Sequence, residues 1–139
     1  MIIYLRFIRY YIYIRMTNKI IVANKFYKHL KEFMKDLIMV FPDDREIKVI
    51  SSSINIATVD DEDYELIHGF NKALYPLEEL ILTRNDSLFN QDPCMYWEHG
   101  SNQYQLFSKL NVYWASTNNI NRKIIWDYLQ LIYSLAKQF

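Results

Sequence analysis

The chain has 139 residues, 51% hydrophobic and 17% aromatic, enough for one domain with a real core and too apolar for a disordered chain. Its formal charge is zero, but Arg6, Arg9 and Arg15 stand in the first sixteen residues without an acid, leaving 13 basic and 16 acidic side chains over 17–139, a net of −3. That mild acidity argues against nucleic acid as the main partner, and the lone cysteine, Cys94, excludes an internal disulfide framework and fits a reducing compartment.

The opening, MIIYLRFIRYYIYIRM, resists assignment. Its arginines interrupt any spanning run, and they are scattered where a secretory signal would gather its charges ahead of one apolar block. At about 100° per residue Arg6 lies near Arg9 but opposite Arg15, so a simple interfacial helix is poorly formed, and the parity of positions 6, 9 and 15 breaks strand alternation. Residues 1–15 therefore read as a non-native or flexible extension, with Met16 opening a single helical domain over 16–139. If residues 1–15 are expressed, their apolar and arginine content is that of a membrane anchor, and an added strand or helix is the remaining alternative.

From Asn24 the pattern is helical. Phe26, Leu30, Phe33, Leu37 and Phe41 recur at spacings of three and four, Lys25, Lys28, Lys31 and Lys35 stand outside that stripe, and Pro42 ends the helix. Asp43, with Glu46 three residues on, predicts a capped second helix bearing Ile47, Ile50, Ile54 and Ala57, although VISSSINI also suits a strand. The acidic run DDEDYE lacks the spacing and central glycine of a calcium loop, so it reads as helix capping. A helix with Leu66, Ile67, Phe70 and Leu74 inward follows, then a short one begun by Pro76.

Residues 83–103 are aperiodic and predict one long loop, the natural seat of a binding surface. Tyr96, Trp97, Glu98 and His99 are its candidate partner contacts. One cysteine and three dispersed histidines, His29, His68 and His99, cannot make a zinc site, and with only two glycines no phosphate-cradling loop can be written, so no cofactor or metal is expected. A Cys94–His pair assembled by folding is the single nucleophile arrangement available. Two closing helices follow, one through Leu106, Leu110, Tyr113 and Trp114, the other with an apolar face made by Ile120, Ile124, Ile125, Tyr128, Leu129, Leu131, Ile132 and Leu135. Trp126 falls partly off that face and, beside Tyr133, is a further candidate contact.

The segments FYKHLKEFMKDLIMVFPDDREIK, LYPLEELILTRNDSLF and IWDYLQLIYSLA resemble small, largely unannotated helical proteins of nucleocytoplasmic large DNA viruses, over roughly residues 24–135. The abundance of Ile, Asn, Lys, Tyr and Phe is what an AT-rich genome encodes. The resemblance implies a viral origin, in the cytoplasm of an infected host cell or the virion, and no chemistry. The expectation is an all-α compact bundle of five to six helices with one long loop, acting as a viral protein–protein interaction or structural accessory protein that binds a host or virion protein. A nucleic-acid-associated factor in viral transcription or packaging, using the lysines of the first helix, is the alternative, and an enzyme using Cys94 the third.

Overall fold

A computed structural model describes residues 2–139. Met1, part of the extension expected over residues 1–15, lies outside the described residues. The fold is all-α, with no strand among the described residues. Its helices are α1 (Ile2–Val40), α2 (Arg45–Val59), α3 (Glu65–Leu74), α4 (Glu78–Leu82), α5 (Pro93–Tyr96), α6 (Asn102–Trp114) and α7 (Asn119–Ala136). Six of these are the expected bundle, and α5 is a single turn within the connection before α6. α1 packs against α7 and α2, α2 in turn against α6, and α7 against α3 and α4.

The helical stripe of the first segment is the axis of the core. Phe26, Leu30, Phe33 and Leu37 are buried, and Phe41 stacks on Tyr113 with ring centroids 4.2 Å apart. Ile47, Ile50 and Ile54 of α2 meet them, so the β-branched run is helical: a row of apolar side chains at spacings of three and four outweighs the strand propensity of single residues. The cap of α2 is Asp44, not Asp43. Its Oδ1 accepts the Glu46 and Ile47 backbone N–H groups at 2.9 and 3.2 Å, while its Oδ2 accepts from Lys109 Nζ at 3.1 Å and from the Tyr113 hydroxyl at 2.5 Å. Those contacts, the Tyr113 hydrogen bond foremost, hold the Asp44 carboxyl down at about 2.

Four tyrosine hydroxyls donate to carboxylates on distant parts of the chain, Tyr27 to Asp61 at 2.6 Å, Tyr128 to Asp36 at 2.6 Å, Tyr113 to Asp44, and Tyr133 to Glu78. Each tie crosses between elements: α1 to the turn before α3, α7 to α1, α6 to the cap of α2, and α7 to α4. Burial and then the facing carboxylate push the Tyr27, Tyr128 and Tyr133 phenols well above the ordinary range, so they remain protonated donors. Asp61 also accepts the Leu66 N–H at 2.8 Å through its other oxygen, so one carboxylate of the acidic run serves the first turn of α3, whose N-cap residue Tyr64 makes no side-chain cap.

The 83–103 segment is shaped by short helical turns. Asn85 and Asp92 cap a 3₁₀ stretch at Asp86–Asn90 and the turn α5. Leu88, Phe89 and Trp97 then pin the segment to the core, Phe89 stacking on Trp114 at 3.8 Å and meeting Trp126 edge-on at 5.2 Å.

Candidate functional site

Three of the six candidate contact residues belong to the interior. Trp97 is 8% exposed, donates its indole N–H to the Ala73 carbonyl at 3.0 Å and stacks on Phe107 at 4.7 Å. Trp126 is buried with its N–H 3.3 Å from Asp86 Oδ1, and Tyr133 is buried against Glu78. The correction has a physical basis: an indole or phenol enters a core when its polar tip finds an acceptor there, and here each does. Tyr96 is half-buried with its hydroxyl on Gln91 at 3.2 Å, and only Glu98 and His99 stand fully at the surface, so these six residues do not form one continuous exposed patch.

The thiol stands against a phenol. Cys94 is exposed and its Sγ lies 3.7 Å from the Tyr104 hydroxyl, while His99 meets the Tyr104 ring at 4.7 Å between centroids. The phenol stands beside both groups, and among the described residues no hydrogen bond joins Cys94 to a histidine. Among the same residues no three His, Cys, Asp or Glu side chains approach closely enough to hold a metal ion.

The surface that stands apart is the first half of α1. The helix runs unbroken for 39 residues, so at about 1.5 Å per residue it is nearly 60 Å long, and its first buried residue is Ala23. Before it, Ile3 is 83% exposed, Phe7 67%, Tyr10 64%, Ile14 39% and Ile21 48%. These five, with Thr17, are spaced alternately by four and three and lie within about 80° of arc, a continuous line about 27 Å long. Their exposures add up to about three whole side chains, so covering this line is worth roughly 5–9 kcal/mol.

The same side of α1 changes chemistry as it reaches the head of the molecule. The line continues into Lys25, Lys28, Lys31 and Lys35, all exposed, while the opposite side carries Phe26, Leu30, Phe33 and Leu37 into the core. Residues 1–31 hold seven Lys or Arg and no Asp or Glu; residues 32–139 hold nine against sixteen. The charge is thus divided between residues 1–31, at +7, and residues 32–139, at −7. Among the described residues none of the seven cations of residues 1–31 takes part in an ion pair. Where the arm leaves the head, Tyr11, Arg15, Lys19 and the terminal Phe139 border an open groove of about 520 Å³, with Lys19 Nζ 5.9 Å from the Phe139 ring centroid.

Sequence reasoning missed this site because it tested the opening stretch apart from the helix it belongs to. Taken alone, Arg6 and Arg15 face opposite ways. On the whole of α1 they border a half-circumference free of Lys and Arg from residue 2 to residue 24, with Arg9 and Lys19 on the other half. No helix among the described residues is long and apolar enough to cross a membrane. Comparison with protein-family models, with curated proteins and with solved structures finds no match to this chain, and none of the three links it to viral proteins.

Proposed function

We propose that this is a non-catalytic attachment protein, a folded helical head joined to a larger structure through the projecting half of α1, and that it serves as an accessory or structural component of a virus-infected cell or of the virion. The observation that carries the reading is the arm itself: about twenty helical residues whose large apolar side chains are turned to solvent around the helix. Such a surface is stable in water only at a cost that a partner removes. The head supplies the complement, a well-tied core in which no three His, Cys, Asp or Glu side chains among the described residues are placed to hold a metal ion. Of the residues first expected to meet a partner, Trp97 on the 83–103 segment and Trp126 and Tyr133 on α7 are packed inside, so this reading puts the contact on α1 instead.

The test compares the full chain with a variant in which Phe7, Tyr10 and Ile14 are replaced by serine. Fractionation of expressing cells, with multi-angle light scattering of the purified proteins, is expected to find the full chain in a large or particulate species and the variant as a free monomer. Both variants should melt at the same temperature, since the altered side chains touch nothing in the core. Identical free monomers in both cases would refute the attachment reading. A nucleic-acid role through the same lysines is favoured by their exposure alone; it predicts duplex binding that weakens steeply with salt and is indifferent to the three serine substitutions.

A further inference from the structure

Resting on that attachment reading, we propose that the structure to which α1 attaches is an anionic lipid bilayer, with the helix lying flat in its interface and the head held on the side away from the lipid. Three placements on the helix converge on this. The line Ile3, Phe7, Tyr10, Ile14 and Ile21 offers apolar and aromatic side chains to the acyl boundary over about 27 Å. Lys25, Lys28, Lys31 and Lys35 prolong the same line over the next three turns, where the helix is no longer free to sink because the head is attached, and there they meet phosphate and carboxylate headgroups. The core-facing residues Phe26, Leu30 and Phe33 point the opposite way, so the geometry that buries the apolar line also lifts the head clear.

Charge selects lipid over the other partners such a line would accept. A second copy would bring together two stretches that carry only cations, residues 1–31 of each chain, and unlike charges flanking the seam, which steer helix pairing, are lacking throughout them. Nucleic acid would satisfy the lysines but leave five apolar side chains uncovered. An anionic bilayer satisfies both at once, and it repels residues 32–139, which carry a net −7, and this sets which side of the molecule faces the membrane. Arg6 and Arg15, at the two borders of the cation-free half, are long enough to reach headgroups while their stems stay in the apolar layer. The interface, not a span, is the seat, because Arg6, Arg9, Arg15 and Lys19 crowd the stretch that a span would bury.

Flotation of the purified full chain with vesicles tests the proposal, using phosphatidylcholine alone and phosphatidylcholine with about 30 mol% phosphatidylserine. The full chain is expected to float with the anionic vesicles, to float poorly with the neutral ones, and to be released progressively by salt. Lys28→Glu with Lys31→Glu should weaken binding by about thirtyfold or more, and Phe7→Ser with Ile14→Ser should abolish it. Ile12→Ser with Met16→Ser, on the opposite side of the same turns, should leave it unchanged; an equal loss there overturns the orientation. Melting curves confirm that each variant keeps its head folded. Failure of the full chain to float with either vesicle overturns the lipid proposal. If it is then an oligomer that Phe7→Ser with Ile14→Ser dissolves, the attachment reading survives with a second copy as partner. A monomer that ignores vesicles and every other component refutes both.

Discussion

Removing the Asp44 carboxylate tests the most concentrated polar junction in the molecule. Its oxygens cap α2, accept the Tyr113 hydroxyl and face Lys109, and its side chain is only 7% exposed. Asp44→Asn keeps a competent cap and removes the charge, which costs about 2 kcal/mol, the worth of hydrogen bonds to a charged group in this setting. Asp44→Ala removes the cap as well and adds about 1 kcal/mol. Lys109 is not orphaned by either change, because Glu46 Oε2 lies 2.7 Å from its Nζ. The total of about 3 kcal/mol lowers the melting temperature of a domain this size by about 10 °C. The effect has a pH signature. The Tyr113 hydrogen bond holds the Asp44 carboxyl at about 2 in the folded chain, below its ordinary 3.8, so its contribution is at most about 2 kcal/mol, is present in full above the higher value and drains away as pH falls through the lower. Urea unfolding followed by far-ultraviolet circular dichroism at about pH 7 and about pH 3 should show the wild-type advantage over Asp44→Asn shrinking with acid. A gap below about 0.5 kcal/mol at neutral pH, or one indifferent to acid, would refute the account of this junction.

Other parts of the fold give simpler expectations. Tyr133→Phe removes the tie to buried-side Glu78 and should cost about 1–2 kcal/mol in the same unfolding assay. Phe89→Ala takes a residue 1% exposed from between Trp114 and Trp126; it should cost about 3–5 kcal/mol and red-shift tryptophan emission as water reaches the cavity. Cys94→Ala should change stability by no more than about 0.5 kcal/mol, and in the wild type the thiol should react with a maleimide while the protein remains folded. Gly100 has φ +88° with open space around its Cβ position, so Gly100→Ala should cost about 1 kcal/mol through backbone strain alone.

The core was legible where one period dominates. Spacings of three and four place Phe26, Leu30, Phe33 and Leu37 inside without reference to anything distant, and the same holds for Leu66, Ile67, Phe70 and Leu74. α7 was read less well: Ile120, Ile124 and Leu131, assigned to its apolar face, are 74%, 41% and 37% exposed, because a face wider than its neighbours can cover leaves its edges in water. The tyrosine ties were not legible at all. Tyr27 finds Asp61 34 residues away and Tyr128 finds Asp36 92 away, and no local pattern encodes which phenol meets which carboxylate. The twelve tyrosines therefore include four that join the bundle together.

Those ties bear on the role proposed for the arm. A helix that transmits attachment to a head must be anchored over the part it shares with that head, or binding at one end would only fray it. α1 is held there on three levels: its apolar stripe lies against α7 and α2, Tyr27 is tied to Asp61 before α3, and Asp36 receives Tyr128 from α7. Phe33 stacks on that same Tyr128 at 5.0 Å, so packing and hydrogen bonding coincide at one place on the helix. Before Val22 no apolar residue among those described is buried or packed against the core while the helix continues, so a partner covering Ile3, Phe7, Tyr10 and Ile14 would act on a lever fixed in the core. Weakening the anchor should then loosen the head without loosening the grip: Tyr128→Phe is expected to lower stability by about 1–2 kcal/mol and leave vesicle flotation intact. Loss of flotation in that variant at temperatures where its head remains folded would show that the arm does not act independently of the core.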